Sequence, residues 1–242
     1  MIVFTTVGFI TQMIDGALGM GYGVCSNTFL LSIGIPPVGA SASVHTAKIF
    51  VTGVSGHSHL MCRNVDKELF KKLLIPGVIG GVLGTYVLAA VPGEVIKPFI
   101  TFYLLAMGFL IFRRALRETQ EREVVTRLAP LGLAGGFCDS IGGGGWGPIT
   151  TSTLVARGHN PRCAIGSVNL VEFFVTAAQV ATFLAIVRLT HWQIIVGLIV
   201  GGVLAAPLAA YGCRRLPTRV MMIMVGALIV ALSLRTIFQA LL

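Results

Sequence analysis

Two ionisable residues of opposite sign, Lys48 and Glu172, each stand alone in a long apolar stretch, and their positions differ by 124. A lone charge near the centre of a bilayer is costly and usually functional. The pair therefore predicts either a mutual ion pair or a division of roles, in which Lys48 faces an anion and Glu172 carries a proton. His45 and Asn169 each lie three residues earlier on the same helical face, and they are candidates for the same site.

Two aspartates, Asp15 and Asp139, show the same offset of 124, and each opens a glycine-rich stretch. A carboxylate at such a break can cap the backbone N–H groups of the helix that follows. It can also bind a proton or another cation. Both interpretations stay open, so Glu172, Asp15 and Asp139 are the candidate coupling residues.

The offset relates a whole segment of the chain. Residues 15–52 align without a gap to residues 139–176, and 13 of these 38 positions are identical. A polar, glycine-rich break that is duplicated inside hydrophobic sequence is typical of transporters built from two repeats.

The glycine-rich breaks are themselves candidates for an anion site. Backbone that leaves helical geometry at membrane depth must be buried in protein or line a wet cavity. Free N–H groups at the start of a helix, together with its dipole, attract anions. The alternative is that these glycines only let helices pack closely. Besides Lys48, His45 and Asn169, the candidate substrate-binding residues are Gly21, Tyr22, Gly23, Ser26, Asn27, Gly145, Trp146, Gly147 and Thr150.

The composition indicates a membrane protein. Hydrophobic residues make up 55% of the chain and charged residues 11%, with a mean hydropathy of +0.88. Soluble domains carry about 25% charged residues. The net charge of +9 comes from loops between apolar stretches, which argues against nucleic acid as a partner. Five cysteines without CxxC spacing support neither a disulfide framework nor a zinc site, and we expect no cofactor, resident metal or signal peptide.

The predicted fold is an all-α polytopic membrane protein with two inverted repeats, each a broken helical hairpin followed by three transmembrane helices. The first 33 residues are too few for two crossings, which need about 40. They predict a hairpin with its tip at 15–23, and 128–155 predicts the second. The long helices are predicted at about 40–62, 70–91, 95–113, 163–187, 192–212 and 219–240, by the spacing of apolar residues and prolines.

The distribution of basic residues predicts the orientation. If each hairpin returns to the face from which it started, 14 basic residues fall on one face and 3 on the other, with Lys48 inside the membrane. If each hairpin crosses once, the division is 11 against 6. The positive-inside rule therefore favours hairpins, with both termini outside and antiparallel halves. The predicted division is 1–113 for the first repeat, 114–127 for a cytoplasmic linker and 128–242 for the second repeat.

The motifs resemble those of the TauE/SafE family over essentially the whole chain. The resemblance rests on the two glycine-rich breaks, Asp15–Gly23 and Gly142–Gly147, and on the Gly-x-x-Pro turns Gly34–Pro37 and Gly158–Pro161. Members are implicated in moving sulfite, sulfoacetate and other sulfonates, generally as exporters. The resemblance therefore implies a small sulfur-containing anion as the partner and the cytoplasmic (inner) membrane as the location.

We therefore expect a secondary transporter without ATP-binding motifs. A homodimer is compatible with this expectation. The sulfonate or sulfite group would be held by the hairpin tips and Lys48. One alternative is a passive anion channel. An enzyme alternative is an intramembrane aspartyl protease with Asp15 and Asp139 as its catalytic dyad.

Overall fold

The described part of the chain consists of helices joined by short turns and loops. The computed structural model describes residues 1–116, 127–157, 159–186 and 190–212, with isolated positions between 219 and 238. These residues form nine α-helices, one π-helical segment and no strand. The α-helices are α1 (Ile2–Leu18), α2 (Tyr22–Ser32), α3 (Pro37–Met61), α4 (Lys67–Ala90), α5 (Gly93–Ala115), α6 (Leu128–Gly142), α7 (Ser152–Ala156), α8 (Pro161–Ile186) and α9 (Trp192–Gly212), and the π-helical segment is Trp146–Thr151.

The first hairpin consists of α1 and α2. Their 17 and 11 residues correspond to about 25 Å and about 16 Å of helix, so neither arm crosses a bilayer core of about 30 Å unaided. Helix α1 ends because Gly19 takes the left-handed conformation, with φ 66°, and its N–H bonds the carbonyl of Asp15. The bend is therefore shorter than the sequence predicts, and Asp15 lies in the last turn of α1.

The second hairpin follows the same plan with one local difference. Helix α6 ends at a left-handed glycine, Gly143, with φ 70°. The returning arm then begins with the π-helical segment before it becomes α7. A π-helical turn is wider than an α-helical one and occurs frequently at functional sites.

Within the described part of the chain, four helices are long and apolar enough to cross a membrane: α4, α8, the 93–113 part of α5 and the 192–211 part of α9. Their outward faces carry exposed large apolar side chains, as a lipid-facing surface requires. Helix α3 is 25 residues long, and one buried face of it is polar. The polar residues on that face include Ser41, His45, Lys48, Thr52, Ser55 and His59. Most of the predicted 114–127 linker and of the predicted 219–240 helix lies outside the described residues.

Helices α3 and α8 form the centre of the bundle and run antiparallel. Lys48 meets Glu172 near the middle, while Ser55, two turns later in α3, meets Asn169, one turn earlier in α8. Helix α9 packs on α1 and α3, and α4 packs on α6 and α8. Since α1 and α6, α3 and α8, and α9 and α4 are at equivalent positions in the two predicted repeats, these sets of contacts correspond.

The packing contacts between helices show in which direction each helix runs. Helices α1, α3 and α9 run one way, and α4, α6 and α8 run the other way. Glycines at these seams let the backbones approach closely. The contacts that set the directions are Phe4–Gly197 and Gly16–Ala209 for α1 and α9, Gly39–His191 and Val51–Gly202 for α3 and α9, Leu73–Gly132 and Gly84–Phe137 for α4 and α6, and Gly77–Val175 and Gly81–Gln179 for α4 and α8.

Candidate functional site

Lys48 lies between two carboxylates at the centre of the bundle. Its Nζ is 3.0 Å from Asp139 Oδ1 and 2.6 Å from Glu172 Oε1. The whole residue is only 1% exposed. Removing two carboxylates and an ammonium group from water is costly unless they pair and bond one another closely. The predicted ion pair between Lys48 and Glu172 is therefore present, and Asp139 is a second partner for the same cation.

His45 and Gln179 complete the environment of Asp139. His45 Nε2 lies 3.2 Å from Asp139 Oδ2, and Gln179 Nε2 donates to the same oxygen over 3.2 Å. Gln179 also bonds Ser140, which fixes its amide against α6. Asp139 is thus surrounded by donors from α3 and α8.

The partners of His45 fix the orientation of its imidazole ring. Its Nδ1 lies 2.8 Å from the carbonyl oxygen of Ser41, and its Nε2 faces the Asp139 carboxylate. The Ser41 hydroxyl donates to the carbonyl of Ser140, so it has no proton to offer the imidazole. Each ring nitrogen therefore faces an oxygen atom, so the imidazole is held between the backbone of α3 and the carboxylate on α6.

Each aspartate also caps the returning arm of its own hairpin. Asp15 Oδ1 accepts from the N–H of Tyr22 over 3.1 Å, and Asp139 Oδ1 accepts from the N–H of Trp146 over 3.3 Å. Tyr22 and Trp146 are the first residues of their segments, where an N–H lacks a helical partner. The capping interpretation therefore matches the geometry in both hairpins. The coupling role of the two aspartates stays a prediction.

The two hairpin tips pack directly against each other. A Cβ on Gly144 would lie 2.6 Å from the Cα of Val24, and one on Gly147 would lie 2.5 Å from the Cα of Met20. Gly23 lies against the carbonyl group of Gly143. The glycines therefore allow backbone-to-backbone contact between the halves, as the packing alternative expects. Their predicted role in holding an anion stays a prediction.

Two hydrogen bonds at equivalent positions join the tips. Asn27 Nδ2 donates to the carbonyl of Gly142 over 2.7 Å, and Thr151 Oγ1 donates to the carbonyl of Gly19 over 2.8 Å. Asn27 and Thr151 are 124 residues apart. Each satisfies a carbonyl at the C-terminal end of an arm, where helical partners end.

We expect Asn27→Ala to lower the free energy of unfolding by about 1–3 kcal/mol, because it leaves the buried carbonyl of Gly142 without its donor. Thr151→Val should have a similar effect on the other bond. Urea unfolding of the purified protein, followed by tryptophan fluorescence, measures both changes. Ser58→Ala, which removes only a bond to a carbonyl within α3, is the control and should change stability less.

The aromatic residues at the tips are fixed by protein contacts. Tyr22 Oη donates to the carbonyl of Leu198 over 3.2 Å, and Trp146 Nε1 donates to the carbonyl of Val168 over 3.1 Å. Both side chains are fully buried. Gly21, which directly precedes Tyr22 at the start of α2, has φ 129°, a conformation that favours glycine.

The remaining candidates are placed as follows. Ser26 lies 3.4 Å from the Thr11 hydroxyl, and Thr150 is buried with no hydrogen-bond partner among the described residues. Asn169 accepts from Ser55 and donates to Ile165, so both ends of its amide are engaged by protein. Gly145 precedes the π-helical segment.

Gln179 has a larger part in this region than the sequence indicates, and Gln12 is a second buried amide, on α1. Gln179 holds Asp139, as described above. Gln12 is fully buried, and neither atom of its amide has a partner among the described residues. A polar amide in an otherwise apolar helix is the sequence signal for both, but it does not reveal which neighbours they meet.

Comparisons with known proteins agree with this architecture. The family described as Sulfite exporter TauE/SafE matches residues 4–236. The chain is 40% identical over 249 residues to the Probable membrane transporter protein YtnM of Bacillus subtilis (strain 168), covering 99% of this chain and 83% of that protein. No solved structure matches the chain. With a family match over nearly its whole length and several membrane-length helices, the chain belongs to the TauE/SafE family and is a multi-pass membrane transporter, not a protease.

Proposed function

We propose that the protein moves a small sulfur-containing anion, such as sulfite, sulfoacetate or another sulfonate, across the cytoplasmic membrane, with export as the direction. The observation that carries this proposal is the buried Lys48 between two carboxylates, at the place where the two hairpin tips meet. A buried ammonium is a strong attractor for an anion once one of its present partners is neutralised or displaced. The family's description as sulfite exporters supports the substrate class.

Glu172 occupies the position on Lys48 that a substrate anion would take. Its carboxylate is already an oxyanion at 2.6 Å from the ammonium. Asp139 has four donors, while Lys48 is the only donor that the described contacts give to Glu172. Glu172 is therefore the easier of the two carboxylates to replace, and its protonation or its pairing with another cation would free Lys48 for a sulfonate or sulfite group.

The helix directions support the inverted arrangement. Every equivalent pair of helices with defined contacts, α1 and α6, α3 and α8, and α9 and α4, runs in opposite directions. Two inverted repeats with short broken helices that meet at mid-membrane are a recurrent design for alternating access. In this proposal residues 1–113 and 128–242 are the repeats, with both termini outside and a homodimer as one assembly form.

A flux assay in liposomes tests the proposal. Purified protein should show saturable uptake of sulfite or sulfoacetate, with weaker or no uptake of chloride. Protein-free liposomes are the control for leak. A conductance that does not saturate would favour the passive channel, and the absence of flux for every anion would contradict the proposal.

We expect Glu172→Gln to bind sulfoacetate roughly tenfold more tightly near neutral pH, because the competing carboxylate on Lys48 is gone. The affinity should also improve less as the pH falls, because the variant lacks the carboxyl group whose protonation frees Lys48. Any pH dependence that is left then comes from the other groups around the site, which are His45, Lys48, Asp15 and Asp139. Titration calorimetry at two pH values measures both effects. The exposed Glu68→Gln is the matched control, and an unchanged or weaker affinity of Glu172→Gln would contradict the exchange on Lys48.

A further inference from the structure

The turn between α3 and α4 is bonded to the first part of α8 by side chains. Arg162 Nη2 donates to the carbonyl of Cys62 over 2.7 Å, and Arg162 Nε donates to Asn64 Oδ1. Ser167 Oγ accepts from the N–H of Asp66 over 2.7 Å and donates to the carbonyl of Asp66 over 3.2 Å. The turn lies in the first predicted repeat and α8 in the second, so these four bonds join the two halves. We call this bonded set the latch.

His59 connects the latch to the first hairpin. Asn64 Nδ2 donates to His59 Nδ1 over 3.1 Å, and His59 Nε2 lies 3.2 Å from the carbonyl oxygen of Gly16. Because Arg162 bonds the amide oxygen of Asn64, the amide nitrogen faces His59, and Nε2 is then the ring nitrogen that donates. A chain of hydrogen bonds therefore runs from Arg162 on α8 to the backbone of α1. His59 and Asn64 are both fully buried.

A polar face of α3 leads from the latch to Lys48. Thr52, Ser55 and His59 follow Lys48 after four, seven and eleven residues, so all four lie on one side of the helix. These side chains are buried. Ser55 bonds Asn169 across the two halves over 2.9 Å, so the halves are also closed between the latch and Lys48. If the halves separated here, hydroxyl and imidazole groups could replace water around an anion, which apolar side chains cannot do.

The two-fold relation of the repeats does not reproduce the latch at the other end of the bundle. At the offset of 124, Phe183 corresponds to His59 and Val38 corresponds to Arg162. Neither of these apolar side chains can form the bonds described above. Phe183 packs on His45 instead, with ring centroids 5.8 Å apart. The two ends of the bundle are therefore closed by different chemistry, and the bonds of the latch can be removed without changing the other end.

The turn in the latch holds a backbone conformation that glycine usually takes. Arg63 has φ 54°, in the left-handed region, and it follows the end of α3, where Asn64 N–H bonds the carbonyl of His59. Such a conformation is costly for a residue with a side chain, and it persists where the surroundings hold it. The residues on both sides of Arg63 accept the bonds of Arg162. Breaking those bonds would let the turn relax, which favours a second arrangement of this segment.

We propose that the latch is a gate, which must open before an anion can pass between Lys48 and the solution at this end of the bundle. A gate has to hold firmly and still open at moderate cost. Bonds from a charged donor are stronger than neutral ones, and half-buried Arg162 can return its donors to water when they break. With both termini outside, this end faces the cytoplasm. The role in anion passage rests on the proposed function, whereas the opening itself does not.

Thiol labelling of the purified protein in detergent tests the gate without any substrate. Thr52→Cys and Val44→Cys place reporters one turn after and one turn before Lys48, at buried positions. Adding Arg162→Gln should speed the labelling of Thr52→Cys by a small charged thiol reagent about tenfold or more, because bonds from a charged donor are lost and the open population rises. The labelling of Val44→Cys should stay at its rate without Arg162→Gln. Peptide mass spectrometry distinguishes the reporter from the native cysteines.

Ser167→Ala and Ser43→Ala are a matched pair, because the two serines are 124 residues apart. Ser167 bonds across the two halves, whereas Ser43 donates to the carbonyl of Gly39 within α3 over 2.7 Å. Ser167→Ala should speed the labelling of Thr52→Cys, and Ser43→Ala should leave it unchanged. This pair keeps the test decisive if Arg162→Gln does not fold.

The inference is overturned if neither Arg162→Gln nor Ser167→Ala speeds the labelling of Thr52→Cys. It is also overturned if Thr52→Cys and Val44→Cys are labelled faster together, since that result reports a general loosening of the bundle. Flux separates the gate from the proposed function. Saturable sulfite uptake by the wild type with unchanged labelling of the variants would contradict the gate alone. Faster labelling of Thr52→Cys without any anion uptake by the wild type would contradict the transporter proposal alone.

Discussion

Replacing Lys48 with methionine is expected to abolish anion flux and to lower the free energy of unfolding by about 3–5 kcal/mol. Methionine keeps most of the side-chain volume, so the effect comes from charge and not from a cavity. The substitution leaves Asp139 and Glu172 buried without their shared cation, and breaking a buried ion pair from one side costs this much. Uptake of sulfite into liposomes and urea unfolding measure the two effects.

The double variant Lys48→Met/Glu172→Gln separates the two roles of Lys48. Asp139 keeps His45, Gln179 and the N–H of Trp146 as donors, and no ionised Glu172 is left unpaired. Stability should therefore recover substantially, while flux should stay absent. A double variant that recovered both stability and flux would show that Lys48 serves only to pair with Glu172, and it would contradict the proposed anion site.

The second large effect is expected at the contact between the hairpin tips. Gly144→Ala would place a methyl group against the backbone of Val24, which belongs to the other hairpin. A clash with backbone cannot be relieved by a rotamer change, so one hairpin must move away from the other. We expect loss of flux and a fall in the unfolding free energy of about 1–3 kcal/mol or more, the usual cost of overpacking.

Gly93→Ala is the matched control for this variant. The nearest atom to a Cβ on Gly93 would be Cδ of Pro37 at 3.7 Å, an ordinary contact, and Gly93 does not have a positive φ. Its stability and flux should match the wild type. Tm measurements and sulfite uptake for the two variants compare them directly, and a Gly144→Ala protein with wild-type flux would mean that the tips need not stay in contact during transport.

Much of the architecture follows from local properties of the sequence. Apolar length alone places α4, α8 and α9, because a helix in lipid must satisfy its own backbone and needs about 20 apolar residues to cross. The offset of 124 identifies the equivalent residues, such as Lys48 and Glu172. The capping role of Asp15 also follows locally, since a carboxylate before a glycine turn meets the first N–H groups of the next arm.

The partners of each buried group required the tertiary structure. Lys48 pairs with Asp139 as well as Glu172, and this depends on how the second hairpin approaches α3 in space. The sequence places Asp15 and Asp139 at equivalent positions. Among the described contacts only Asp139 also gains side-chain donors, because His45 and Gln179 reach it while Asn169 and Ser55 bond each other. The repeat in the sequence identifies which positions correspond. Which charged residue each position meets depends on how the two halves pack against each other, and neither half determines that alone.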